Sequence, residues 1–278
     1  MSNMIKFNSL IFILLIVRFS AAAQEAKKVD FLKAIEDNSF FIEEAYNQED
    51  RVVQHINNGK YSLGNKHDFE YSFTQEWPVF SQKHQFSYTL GLSSINFGNV
   101  RGFNDIMLNY RYQLTGHDDF ITLAPRFSLI IPTGDNKKGL GYGVVGYQFD
   151  LPMSKRVTNS LAVHVNIGYT ILPFVETTDL NNIRHKNNLS IFNIGASAIW
   201  LATSKTNLML EVLHYISREV NETNKMTNIG QTIISPGIRY AIDIKNLQIV
   251  PGFALPLSIQ NNKTELAAFF YLSFEHPF

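Results

Sequence analysis

The sequence predicts an all-β fold: a transmembrane antiparallel up-and-down β-barrel of about twelve strands, preceded by a short helical segment. Three observations lead there. From about residue 51 onward, apolar side chains recur at every second position, the period of a strand with one face in an apolar medium. The connections between these stretches alternate between short and long, as they do in bacterial outer-membrane barrels. No stretch reaches 18 consecutive apolar residues, which excludes a bundle of membrane-spanning helices.

Composition narrows the function classes. The 278 residues carry 24 Lys+Arg against 24 Asp+Glu, with 22 Phe, 12 Tyr and no cysteine. Zero net charge leaves no basic surplus for nucleic acid. The lack of cysteine excludes disulfides, thiolate metal sites, iron–sulfur clusters, thiol nucleophiles and a lipoprotein anchor.

Residues 1–23 read as a secretory signal. Lys6 gives the positive start, residues 9–17 (SLIFILLIV) the apolar core, and Ala21-Ala22-Ala23 the small-residue cleavage site. The core is too short to span a bilayer. Its removal takes away two basic residues, leaving 22 basic against 24 acidic. Residues 24–50 break the alternation. Phe31, Leu32 and Ile35 suggest a short amphipathic helix, and Phe40, Phe41, Ile42 and Tyr46 form an apolar patch beside Glu43, Glu44 and Glu49. Such a segment either lies in the periplasm as a linker on the barrel rim or folds into the lumen as a small plug.

Residues 51–278 form the barrel. Twelve strands are expected at about 51–61, 67–79, 84–94, 102–115, 119–131, 142–152, 157–172, 187–201, 205–217, 230–242, 246–259 and 264–278. The clearest has Leu161, Val163, Val165, Ile167, Tyr169 and Ile171 on one face and Ala162, His164, Asn166, Gly168 and Thr170 on the other. Short turns are expected at 81–83, 115–118, 154–156, 203–204 and 243–245, with longer polar loops at 94–101, 132–141, 173–186 and 218–228. A soluble barrel would turn its apolar face inward; here the polar face lines the lumen and the apolar one suits lipid. The chain ends in Phe278, in parity with Phe270, Leu272 and Phe274, resembling the signal read by the outer-membrane barrel-assembly machinery. His276 departs from that pattern.

Six charged residues have inward parity near short turns: Glu76, Arg111, Arg126, Asp150, Glu211 and Arg239. Arg111 and Arg126 flank one turn and should be neighbours. His164, Asp105 and Glu70 are expected higher in the lumen. The charges either brace the interior as an ion-pair network or form a mixed-sign constriction. Barrels of about eight strands are filled by side chains and those of about 16–18 hold an open channel, so twelve implies a narrow or gated path.

A search for chemistry finds no catalytic, cofactor or metal residues. A phospholipase-like barrel needs a Ser–His pair on its outer wall, but His164 points inward between Val163 and Val165, and His214 has no serine nearer than Ser217. The other histidines lack metal-ligand spacing. The loop PTGDNKKGLGYG lacks the Gly-Lys-Ser/Thr phosphate cradle.

Five stretches carry a family resemblance: NSFFIEEAYNQEDRVVQHI (38–56), FNDIMLNYRYQL (103–114), LAPRFSLIIPTGD (123–135), GLGYGVVGYQFDLPMS (139–154) and SPGIRYAIDIKNLQIVPGFALPLS (235–258). They resemble an outer-membrane barrel and transporter family named for the MetA pathway of phenol degradation. The resemblance implies a barrel in the bacterial outer membrane and brings no catalytic residues with it. The expected activity is passive passage of a small, hydrophobic or aromatic molecule whose identity the sequence does not name. The alternatives are a structural or adhesive barrel with a closed lumen and, further off, a phospholipase-like enzyme. Outer-membrane lipid and, through Phe278, the barrel-assembly machinery are the expected partners; nucleic acid is not one.

Overall fold

A strand in lipid must satisfy every backbone N–H and C=O through its neighbours, and a sheet does so at its edges only by closing. The computed structural model of the chain, in which residues 39–64, 67–116 and 118–278 are described, is such a closed sheet. Its segments are β1 (Val52–Ser62), β2 (Phe69–Val79), β3 (Ser81–Ile95), β4 (Val100–Phe103), β5 (Ile106–Tyr112), β6 (Thr122–Leu123), β7 (Arg126–Ile131) and β8 (Gly146–Thr158). They continue as β9 (Leu161–Thr178), β10 (Arg184–Leu201), β11 (Thr206–Val220), β12 (Met226–Tyr240), β13 (Ile242–Ile244), β14 (Leu247–Ala254), β15 (Leu257–Gln260) and β16 (Lys263–Pro277). The pairs β4/β5, β6/β7, β12/β13 and β14/β15 are each one wall strand with a break, so the wall has twelve strands, all antiparallel to their neighbours. Pro125 and Pro256 sit in two of the breaks, where a missing N–H cannot continue the ladder. β1 and β16 close the barrel through eleven register pairs, Val52 with Pro277 to Ser62 with Ala267.

The twelve-strand barrel agrees with the fold class read from the sequence; the signal and the expected helix at Phe31, Leu32 and Ile35 lie outside the described residues. Three loops are shorter than expected, the one between β3 and β4 shrinking to 96–99. β9 and β10 run on to Thr178 and from Arg184, and β11 and β12 to Val220 and from Met226, so the connections shrink to 179–183 and 221–225. The added residues extend the hairpins as paired strands, with a register shift between Asn187 and Leu189. The turn expected at 81–83 is a tighter reversal at Phe80, which has a positive φ of 62°. The turn expected at 154–156 lies instead at 159–160, because β8 continues to Thr158.

The two faces sort as parity dictates. Along β11, Leu208, Leu210 and Val212 are 39–49% exposed while Asn207, Met209 and Glu211 are at most 5% exposed. The outer belt adds Tyr147, Phe149, Ile167, Tyr169, Ile238, Phe253, Phe270 and Leu272. The inner face carries Ser87, Asn109, Ser128, Asn166, Ser197, Ser235 and Ser273. Among the described residues no helix is long and apolar enough to cross a membrane; the strands do the crossing.

Candidate lumenal site

Residues 39–50 form no strand and no helix, so their backbone groups need other partners. The inner wall supplies them. The N–H groups of Phe41 and Ile42 donate to Glu211 Oε1 at 2.8 and 3.1 Å, and Glu43 N–H donates to Asn166 Oδ1 at 2.7 Å. Ala45 N–H donates to Ser154 Oγ (2.6 Å), Asn47 N–H to Gln113 Oε1 (3.1 Å) and Gln48 N–H to Gln85 Oε1 (2.8 Å). Ser39 Oγ meets Ser197 Oγ at 2.6 Å. The segment thus lies inside the barrel, its backbone held by side chains from many wall strands. Each such bond contributes about 0.5–1.5 kcal/mol net, and leaving one unmade costs more.

Apolar anchors complete the fit. Phe40 packs against Phe269 and Tyr271 at ring-centroid distances of 5.4 and 5.2 Å. Its ring fills a socket that exists because two inward positions are glycines: a Cβ at Gly237 or at Gly252 would stand 2.6 Å from a Phe40 ring carbon. Gly195 likewise makes room for Ile42.

Around the acidic residues of the segment, four of the sequence-predicted charges come together. Arg111 and Arg126 face each other in register on β5 and β7, as expected from their flanking one turn, and Arg126 faces Asp150 on β8. The guanidiniums turn to the segment rather than to a purely wall-borne network. Arg111 donates to Asn47 Oδ1 (2.9 Å) and to the carbonyls of Glu44 (3.0 Å) and Tyr46 (2.7 Å), and lies 3.5 Å from Glu44 Oε1 and 3.8 Å from Glu43. Arg126 pairs with Glu43, donates to Gln148 Oε1 at 2.9 Å and lies 3.6 Å from Asp150. Glu76 accepts from Gln85 Nε2 on the neighbouring strand. Gln48 Nε2 donates to Gln54 Oε1 at 2.8 Å, and Gln54 in turn donates to Glu275. Pairs this deep contribute little net stability, but removing one partner strands a charge and costs about 3–5 kcal/mol.

The other three predicted residues lie apart from that cluster. Glu211, on β11, holds the start of the segment through Phe41 and Ile42. Arg239 is buried on β12, in register with Asn207 on β11. His164 is fully buried, but not high in the lumen: β8 runs past the expected turn, so His164 comes soon after the turn at 159–160, in register with Ser154 and Ser197. Asp105 ties the long loop, accepting from Gly134 and Tyr142 N–H at 2.9 and 2.8 Å, and Glu70 pairs with Lys60 at 2.9 Å.

A serine partner for His164, not found by scanning its sequence neighbours, comes from across the sheet. Ser154 Oγ lies 2.7 Å from His164 Nδ1. That oxygen also accepts the Ala45 N–H, and Tyr46 stands edge-on to the imidazole at 6.2 Å, so the pair sits beneath the segment. The side chains missed in the sequence, Ser154, Asn166, Gln85, Gln113 and Gln54, are uncharged. Their only signal was inward parity, which many other lumenal residues share.

Between the segment and the wall of β1, β2, β3 and β5 lies a cavity of about 160 Å³. Phe40, Phe41, Asn58, Glu76, Asn109, Arg126 and Tyr271 are among the residues that line it.

No protein-family model matches the chain, and no curated relative matches it. Solved structures do resemble it. An outer membrane channel from Pseudomonas putida F1 superposes with a TM-score of 0.59 at 11% identity, covering 84% of this chain and 98% of that one. The NanC porin gives a TM-score of 0.51 at 11% identity, covering 81% of this chain and all of the porin. At such identity the likeness is one of fold, the fold of the outer-membrane barrels.

Proposed function

We propose that the chain is a gated passage for a small molecule through the bacterial outer membrane. Residues 39–50 are its plug, and Arg111, Arg126, Glu76, Asp150 and the segment's Glu43 and Glu44 its constriction. The observation that carries this reading is how the segment is held: by hydrogen bonds, ion pairs and a glycine socket inside a polar lumen. Polar contacts can be exchanged for water, so the segment can leave without unfolding the wall. Ser154 and His164 then serve as a latch on Ala45 rather than as a catalytic pair. The resemblance to the phenol-degradation family favours a permeant with a hydrophobic or aromatic body, and the terminal aromatic favours delivery by the barrel-assembly machinery.

The test is conductance of the purified chain in planar bilayers beside Arg111→Ala with Arg126→Ala. Removing both guanidiniums frees Glu43 and Glu44 and leaves the lumen more acidic. Single-channel conductance should rise several-fold and selectivity shift toward cations, as charge rings dictate in pores. An unchanged trace from variant protein of proven fold would favour the second reading, a structural barrel sealed by its own N-terminal segment.

A further inference from the structure

Near its outer end the inner wall carries an apolar row. Met107 on β5 faces Ile130 on β7, Ile130 faces Gly146 on β8, and Leu172 on β9 faces Leu189 on β10. A Cβ at Gly146 would stand 2.6 Å from Leu172 Cδ2, so the row runs unbroken over five neighbouring strands. Val175 joins it, and Ile130, Leu172 and Val175 are each at most 7% exposed. At the same level β3 and β2 carry Thr89 and Thr74.

Apolar side chains that face a wet lumen need a cover. The loop between β7 and β8 supplies it. Its Val144 packs against the buried members of the row. Its Leu140, 2% exposed, lies on β4, where a Cβ at Gly102 would stand 2.8 Å from Leu140 Cδ1. Gly102 faces Ser93, whose parity is that of the inward Ser87, so Leu140 is inside the wall. Asn136, Lys137 and Lys138 of the same loop are exposed. Asp105 fixes the arrangement by accepting from the N–H groups of Gly134 and Tyr142. The loop therefore runs along the inside of the mouth from β4 toward β9, apolar side down and polar side up.

We infer that residues 132–145 form a second constriction of the passage, an apolar one at its outer mouth, in series with the charged one around the segment. Leu140 and Val144 are the residues that set it. A hydrated ion must shed water to pass an apolar narrowing, whereas a molecule with an apolar body need not. The mouth thus sorts solutes before they reach the plug. The inference rests on the passage reading for its role, but the barrier itself is measurable without transport through the barrel.

The chain has no cysteine, so a single introduced thiol reports access to the lumen. Thr170, inward on β9 and 5% exposed, lies between Asn166, which holds the segment, and Leu172 of the apolar row. In Thr170→Cys, a charged methanethiosulfonate added outside intact cells should react slowly. Adding Leu140→Asp with Val144→Asp puts carboxylates where the loop must stay dry and expels it. The reaction should then run about tenfold faster, as expected once an apolar narrowing is opened to a charged solute. Adding Asp105→Ala instead, which cuts two ties of the loop, should speed it as well. Variants are compared only after unheated electrophoresis shows a folded barrel. The inference fails if no folded loop variant reacts faster than Thr170→Cys alone. It also fails if the gain appears only together with Arg111→Ala and Arg126→Ala, because the reagent would then be arriving past the segment. Bilayer recordings separate the two ideas. A chain that conducts but labels at one rate throughout keeps the passage and loses the second constriction; one whose labelling accelerates but that never conducts keeps the constriction and loses the passage.

Discussion

Glu44 shows what one buried side chain can control. It is 1% exposed, contacts Arg111, and burial pushes its carboxyl up to about 7 from the ordinary 4.5. Arg111 pulls it down, while Glu76 and Glu43 push it further up. The docked segment therefore keeps a proton that a released segment gives up above pH 4.5. Docking is strongest below that pH and weakens as pH rises through about 7. Conductance should accordingly be greater at pH 8 than at pH 5, and Glu44→Gln should flatten the difference. A parent channel whose conductance is the same at both pH values, or greater at pH 5, would contradict this account of docking. The misplaced height of His164 is a lesson at the same scale. Its inward parity was legible, but its level depended on where β8 ends, and the polar run Ser154-Lys155-Arg156 reads equally well as turn or as strand.

At the scale of elements, the segment and the wall strands solve one problem jointly. Residues 39–50 cannot satisfy their own amides, and the lumen offers acceptors but no sheet edge. Three inward glycines, on β10, β12 and β14, supply the room. Replacing Gly237 and Gly252 together by Leu should expel Phe40, because a Cβ at either position already meets its ring at 2.6 Å and each overpacked position costs about 1–3 kcal/mol. Conductance should rise several-fold with the barrel intact by unheated electrophoresis. If the double variant stays as closed as its parent, the socket is not what seats the segment. These contacts were not legible in the sequence, since Phe41 and Glu211 stand 170 positions apart and nothing local ties a glycine to the ring it accommodates.

For the whole molecule, closure is the decisive event. β1 pairs along its whole length with residues 267–277 of β16, and Phe278 N–H donates to the Arg51 carbonyl at 2.9 Å beside that seam. The Phe278 ring is 62% exposed, so it adds little packing. Deleting Phe278 should therefore sharply lower the amount assembled in the outer membrane of cells while leaving refolding in detergent near the parent yield. Equal losses in both settings would make the residue a structural closure rather than an assembly signal.

The sequence by itself determined the strand number, the closed antiparallel order and the sidedness of each strand. All three follow from a period of two, which depends only on which solvent each face meets. It also placed Arg111 beside Arg126, because a turn between flanking positions brings them together. Only the tertiary structure decided that Glu43 and Glu44 are the partners of those arginines, that Ser154 meets His164, and that residues 39–50 lie within the lumen rather than on the rim. Those pairings join residues far apart in the chain, and polar side chains of a wet interior carry no pattern that names their partners.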